Sequence, residues 1–432
     1  MKKVAIYILG CRVNQSEGES FIEYFKENGY EVVDYNELAD IYLIHTCTVT
    51  IQADSKSRQM IRKAKKNNPL GKVIVTGCYA QTEPGTLLGM PEVDLVVGMR
   101  DRNKILELLG EEKAHIIELN REQKFEDLKL ATPETTRAFL KIQEGCESFC
   151  SYCIIPIARG PVKSRPENSI IQEIKMLESK GYKEIILTGI HAGAYGKDTD
   201  SSITQLMRKI VEETIITRIR FGSLDPNEIT SEFIELFKNK RFMPHIHLAL
   251  QSGSNSVLKR MNRKYDTRLY EEVIHRLREI KGPTLSVTTD IMVGFPGELE
   301  EEHKESMKFI DLVGIDNLHI FKYSKRKGTR AAYFPDQVDD QIKKARALEM
   351  SKLRDTLHKQ FLNSLIGMEM NVLIEKNSNN LIEGYSENYI KVLIEGNDKK
   401  LLENTIVKVE ISNVEKDMLI GGILWVIVYF VE

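Results

Sequence analysis

Cys146, Cys150 and Cys153 stand in the run Gly145-Cys-Glu-Ser-Phe-Cys-Ser-Tyr-Cys153. This Cys-x3-Cys-x2-Cys spacing puts three sulfur ligands on one loop. Thiolates hold iron–sulfur clusters, and a four-iron cubane normally takes four of them. Three protein thiolates therefore leave one iron open to a small molecule. A zinc knuckle short of its fourth ligand, or a disulfide pair, is the other reading of cysteines so placed.

The remaining cysteines repeat the pattern at long range. Apolar runs at residues 4–9, 41–45 and 73–76 end in Gly10-Cys11, Thr46-Cys47 and Gly77-Cys78. Short β-branched runs closed by turn residues read as buried strands. The intervals between these cysteines leave room for helices over 16–28 and 54–67. With residues 31–34 and 94–97 as further strands, the alternation predicts an α/β fold with a doubly wound parallel sheet. In the flavodoxin-like order 2-1-3-4-5, the three strands that carry cysteines are neighbours. Adjacent strands lie about 4.8 Å apart, so the three carboxyl ends span roughly 10 Å. The spacing thus predicts a second three-thiolate site, with three buried structural cysteines as the alternative. A disulfide framework belongs to short secreted chains, whereas 432 residues suffice for two or three domains.

Across nearly its whole length the chain resembles the methylthiotransferases of the radical S-adenosylmethionine superfamily. The matching segments are Leu9-Gly-Cys-Arg-Val-Asn-Gln15, His45-Thr-Cys-Thr-Val-Thr50, Val75-Thr-Gly-Cys-Tyr-Ala-Gln81 and the Cys146 loop. Thr48-Val49-Thr50, with Lys56-Ser57-Arg58-Gln59 beyond it, is similar to the bacterial branch acting on threonylcarbamoyladenosine at tRNA position 37. Ile154-Ile-Pro-Ile-Ala-Arg-Gly160, Gly189-Ile-His191, Gly193-Ala-Tyr-Gly196 and Tyr323-Ser-Lys-Arg326 point the same way. The resemblance implies a methylthiotransferase domain over 1–110, a connector over 111–136, and a partial, six-fold TIM-like barrel over 137–364. Residues 365–432 would form a small C-terminal β-barrel of the TRAM type.

Two 4Fe-4S clusters are implied, one on Cys146, Cys150 and Cys153 and one on Cys11, Cys47 and Cys78. S-adenosylmethionine would chelate the open iron of the first, and its cleavage would give the radical that abstracts hydrogen from carbon 2. The second cluster would hold the sulfur, which another adenosylmethionine methylates. The base must reach both, so it would be turned out of the tRNA anticodon loop. Sibling readings are the same chemistry on isopentenyladenosine tRNA or on a ribosomal protein. A non-catalytic iron–sulfur RNA-binding module is the reading from a different class.

The elements that must position this chemistry recur after the connector, as apolar runs at 139–143, 184–187, 218–222, 245–250, 286–293 and 318–323. Six strand–helix units make three-quarters of an eight-fold barrel, whose active site gathers at the carboxyl ends of the strands. The Cys146 loop follows the first strand. Gly189 and His191 follow the second, Ser223 and Asp225 the third, Gln251 and Ser252 the fourth, and Gly294 the fifth. These are the candidates for holding adenosylmethionine, alongside Arg159, whose planar fork suits a carboxylate. Ordinary turns, a solvated histidine and a surface arginine are the bland alternatives. Spacing offers no Ser-His-Asp or paired-carboxylate arrangement, so hydrolytic chemistry has no support.

The overall charge, 61 basic against 63 acidic residues, gives no general affinity for RNA. Local runs differ: Lys56, Arg58, Arg62, Lys63, Lys65 and Lys66; Lys163 and Arg165; Lys259, Arg260, Arg263 and Lys264; and Lys322, Lys325, Arg326, Lys327 and Arg330. Most are expected on the rim where the strands end, where they would attract phosphates, although charge runs are usually solvated faces. Residues 367–432 read as short strands with turn signals at 377–380 and 396–397. Six lysines, no arginine and eleven acids there argue against phosphate contacts alone. The apolar stretch 419–431 is too short for a membrane span, and the six apolar residues before Gly10-Cys11 are too few for a signal segment. Reduced thiols and oxygen-sensitive clusters predict the cytoplasm.

Overall fold

The computed structural model describes residues 1–111, 113–128, 135–378, 381–395 and 402–427. Among them no helix is long and apolar enough to cross a membrane.

The first domain is built on a six-stranded parallel sheet. Its strands are β1 (Lys2–Ile8), β2 (Tyr30–Val33), β3 (Ile41–Thr46), β4 (Lys72–Gly77), β5 (Leu95–Val97) and β6 (Ala114–His115), in the order β2-β1-β3-β4-β5-β6. Continuous apolar runs form the central strands because both faces of a parallel sheet are covered. Alternate residues divide between the two faces. Tyr42, Ile44, Val73 and Val75 meet the helix Ile51–Asn67 through Met60, Ile61 and Ala64. Ile41, Leu43, Ile74 and Leu95 meet the helix Arg12–Glu27 through Phe21 and Phe25. The 2-1-3-4-5 order is present, with one strand more than the sequence indicated. Two-residue β6 lies in the stretch read as connector, where no apolar run marks it.

The second domain carries six parallel strands in sequence order, split between two sheets. β7 (Arg137–Glu144), β9 (Glu184–Gly189) and β10 (Arg218–Phe221) form one, with the antiparallel strand β8 (Lys163–Ser164) at its edge. β11 (Ser223–Leu224), β12 (His245–Leu248), β13 (Ser286–Val293) and β14 (Asn317–Lys322) form the other. β10 and β11 are one strand divided between the two sheets: β10 pairs with β9 as far as Gly222, whose N–H donates to Leu187 O at 2.8 Å, and β11 then pairs with β12. A core running from Ala138 to Leu357 fills the space between the strands and their outer helices.

The C-terminal domain is a closed barrel in the order β15-β16-β17-β19-β18. Its strands are β15 (Glu369–Ser378), β16 (Leu381–Ser386), β17 (Lys391–Glu395), β18 (Ile406–Glu415) and β19 (Met418–Ile427). The apolar stretch from 419 becomes β19; its residues 428–431, and Asn379, Asn380, Gly396 and Asn397 of the expected turns, lie outside the described residues. The barrel docks through its segment 385–389. Arg218 donates to Ser386 O at 2.8 Å and Arg220 to Glu387 O at 2.8 Å, and both arginines pair with the fully buried Glu184.

Candidate active site

Strand register brings the first three cysteines together. Thr46 pairs with Gly77, so Cys47 and Cys78 leave adjacent strands side by side. Ile8 pairs with His45 and Leu9 N–H bonds to His45 O, which carries Gly10-Cys11 alongside. Gly77 has φ +101, and a Cβ there would lie 2.5 Å from Thr46 O, so only glycine makes this turn. All three cysteines are free thiols; Cys47 and Cys78 are buried and Cys11 is exposed. Burial, and then the neighbouring thiols, push the Cys47 thiol up to about 12. Two buried thiols and one exposed thiol crowded in this way, with no disulfide formed, are a donor set suited to a thiophilic iron cluster, which takes them as thiolates.

The second set sits on the loop after β7. Gly145 has φ +72, and any Cβ would collide with Pro161 O at 1.9 Å. The loop is pinned by the segment after β12: Ser151 N–H donates to Met261 O at 2.9 Å, and Asn262 Nδ2 to Phe149 O at 2.9 Å. A guanidinium N–H of Arg263 donates to Cys150 Sγ at 3.1 Å, and Arg263 also pairs with Asp225. Burial opposes ionisation of Cys146, but His191 Nδ1, 3.5 Å from its sulfur, brings that thiol below its ordinary value. Cys153, with burial unopposed by such a partner, is pushed up to about 12.

Both sets reach one cavity of about 420 Å³, the size of a small-molecule site. Cys11 lines it from the first domain, and Cys146, Cys150 and Cys153 from the barrel. Of the cofactor candidates, Gly189, His191, Ser223 and Gln251 line it as well, with Asp225. His191 is fixed by Glu228 Oε1, 2.5 Å from its Nε2.

Three candidates lie elsewhere. Ser252 is buried outside the lining, its hydroxyl 3.0 Å from Ser306 Oγ. Gly294 is not among the lining residues; its N–H is taken by Glu298 Oε2 at 2.6 Å, and a Cβ would meet Lys343. Arg159, expected to hold a cofactor carboxylate, is buried with its donors committed. It gives hydrogen bonds to Cys78 Sγ at 3.2 Å, Asn14 Oδ1 at 2.7 Å, Glu17 at 2.9 and 3.0 Å, and Glu144 at 3.1 Å. Glu17, itself fully buried, also takes Arg102 at 3.0 Å, Lys141 at 2.6 Å and His45 at 2.9 Å. Burial alone would raise its carboxyl, but Arg102, Arg159 and Lys141 hold it well below the carboxylate range. The network spans both domains, so Arg159 fixes one against the other beside Cys78.

The wall of the cavity also carries residues that sequence reasoning missed. Arg12 enters from the first domain, and His247, Asp290 and His319 from β12, β13 and β14. His247 Nε2 and His319 Nδ1 lie 3.3 and 3.4 Å from Asp290 Oδ1, and the two rings stack at 5.2 Å. The alternation His245, His247 in a strand was the one signal available, because residues two apart share a face. Arg12 was visible as the neighbour of Cys11.

The expected basic rim is thinner than the sequence indicated. Arg326 is buried against Asp54 at 2.7 Å and Thr48 at 2.6 Å, so two of the branch-like motifs meet in space. Arg260 pairs with Glu302, Arg165 with Glu173 and Asp127, and Lys65 with Asp94 at the amino ends of β4 and β5, away from the cysteines. Exposed cations remain at Lys56, Arg62, Lys66, Lys259, Lys264, Lys322, Lys325, Lys327 and Arg330.

Residues 3–98 match the profile of the Uncharacterized protein family UPF0004, and residues 140–310 that of the Radical SAM superfamily. The threonylcarbamoyladenosine tRNA methylthiotransferase MtaB of Bacillus subtilis is 44% identical, over 84% of this chain and 82% of its own. Its Aquifex aeolicus counterpart is 39% identical, over 85% and 92%. A tRNA-2-methylthio-N(6)-dimethylallyladenosine synthase of Thermodesulfovibrio yellowstonii is 35% identical, over 83% and 84%. Among solved structures, the radical S-adenosylmethionine methyltransferase TsrM of Kitasatospora setae shares the fold at a TM-score of 0.57, with 13% identity over 77% of each chain. Two sets of three thiols on a sheet and a barrel, in a chain this similar over most of its length, identify it as a member of the methylthiotransferase family of radical S-adenosylmethionine proteins.

Proposed function

We propose that this chain replaces the carbon 2 hydrogen of threonylcarbamoyladenosine, at position 37 in the tRNA anticodon loop, with a methylthio group. In this reading Cys146, Cys150 and Cys153 would hold one 4Fe-4S cluster and Cys11, Cys47 and Cys78 a second. The carrying observation is the shared cavity, lined by Cys11 from one set and all three cysteines of the other. When bound, the barrel cluster supplies the electron that cleaves S-adenosylmethionine to a radical able to take hydrogen from an unactivated C–H bond.

The chain's own residues bind, orient and shield. Gly189, His191, Ser223 and Gln251 stand where adenosylmethionine would lie against the barrel thiols. Arg263 donates an N–H to Cys150 Sγ at 3.1 Å and so orients that sulfur. Val49, Tyr152, Ile155, Leu224 and Ala249 give part of the chamber an apolar wall. Reduced thiols and such clusters accord with work in the cytoplasm. Relatives named for threonylcarbamoyladenosine, at 44% and 39% identity, support that branch over the dimethylallyladenosine relatives at 35% and 36%.

The test is nucleoside analysis of tRNA from a strain lacking this gene. Methylthiolated threonylcarbamoyladenosine is expected to disappear. Its persistence with loss of methylthiolated isopentenyladenosine would contradict the substrate assigned.

A further inference from the structure

Arg12 differs from Arg263, which also lines the cavity, and from the buried Arg220 and Arg159 outside it. Arg263 is paired with Asp225, Arg220 with Glu184, and Arg159 with Glu17. Arg12 lines the chamber with no carboxylate or carbonyl partner among the described residues; it lies over two aromatic rings. Its guanidinium carbon is 6.0 Å from the Phe139 centroid and 5.5 Å from that of Tyr389.

Tyr389 belongs to the C-terminal barrel and stands behind Arg12, outside the lining of the chamber. It lies against Arg137 and His245, the first residues of β7 and β12, at the strand ends opposite the Cys146 loop. Arg220 lies over its ring at 4.7 Å, and its backbone holds φ +69. This shelf is fixed by elements of all three domains. A cation–π contact of this kind spends no N–H donor on an oxygen, so the guanidinium keeps its hydrogen-bonding capacity. Nearby Asp290 does not occupy those donors, because its carboxylate lies between His247 and His319. A planar fork of free donors in a walled cavity matches a carboxylate bidentately.

We infer that Arg12 binds the carboxylate of the substrate's amino-acid substituent, and so selects a base carrying a charged side chain over one carrying an aliphatic group. The inference rests on the substrate reading above. A prenyl group would leave the guanidinium desolvated and unpaired, which penalises that substrate as well as failing to reward it.

The test uses the reconstituted full-length enzyme and two anticodon stem-loops. One carries the natural threonyl carboxylate, the other the neutral carboxamide in its place. Wild type is expected to show a KM for the amide raised by about thirtyfold, the low end for removing one partner of a buried charge pair. Arg12→Gln is expected to raise the KM for the acid to that of the amide, and Arg12→Lys to restore part of the difference. Equal KM values for acid and amide in wild type would overturn the inference, and that comparison needs no variant. So would an Arg12→Gln enzyme that still separates them, or one whose defect is in the KM for adenosylmethionine. Failure of wild type to methylthiolate the acid would instead count against the substrate reading.

Discussion

Arg159 Nε lies 3.2 Å from Cys78 Sγ, so a side chain of the barrel touches a thiol carried by the first domain. The same guanidinium pairs with Glu17 and Glu144, both of them buried. Removing it as Arg159→Met would leave buried carboxylates short of a cation, at a cost of about 3–5 kcal/mol. A fall in thermal midpoint of several degrees is the expected reading, with Arg159→Lys intermediate. An unchanged midpoint would contradict the role assigned to this network.

Serine in place of a cysteine separates the two sites. Cys150→Ser is expected to abolish reductive cleavage of adenosylmethionine, because it removes one of the three thiols proposed to hold the barrel cluster. Cys78→Ser is expected to retain cleavage while losing methylthiolation of tRNA. Deoxyadenosine and modified nucleoside, quantified in one reaction, give both answers.

The exposed cations divide from the buried ones in their effect on RNA. Lys325, Lys327 and Arg330 are exposed, while Arg326 between them is held by Asp54. Reversing the three exposed charges to Glu is expected to weaken tRNA binding. It should also flatten the slope of log affinity against log salt by about two to three, near one unit per lost phosphate contact. Arg326→Ala is expected to lower the thermal midpoint instead. Filter binding across a salt series and a melting curve distinguish the two.

Asp316 gives the stability a pH dependence away from the site. Burial pushes its carboxyl up to about 7, although Val287 N–H donates to it at 2.5 Å. A raised folded-state value means that the folded chain binds the proton more tightly than the unfolded chain. Stability from this group is therefore full below the unfolded value near pH 4, and is lost as pH rises toward 7. Asp316→Asn keeps an acceptor for Val287 and removes the charge. It is expected to be more stable than the parent by about 2–4 kcal/mol at pH 8, a gap that narrows toward pH 4. Melting curves at the two pH values check the sign.

Much of this arrangement was legible from local pattern. The buried strands ahead of Cys11, Cys47 and Cys78 announced themselves as continuous apolar runs, and parallel pairing then made those cysteines neighbours. The barrel strands and the Cys146 loop followed from the same periodicity. What stayed hidden depends on partners distant in sequence. Arg159 reads as any arginine after a turn until Glu17, 142 residues away, is seen against it. The division at Gly222 splits a strand between two sheets without breaking its apolar pattern, and β6 is too short to carry a pattern. The basic runs misled for a related reason, since composition does not tell a free lysine from an arginine paired with Glu302 or Asp54.

Anaerobic iron and sulfide quantitation of the reconstituted full-length chain addresses the central claim, that two sets of three cysteines each hold a four-iron cluster. The account predicts about eight irons per chain, falling to about four in a Cys11/Cys47/Cys78 triple alanine variant that keeps the thermal midpoint of its barrel. About four irons in the wild type, unchanged in that variant, would contradict it.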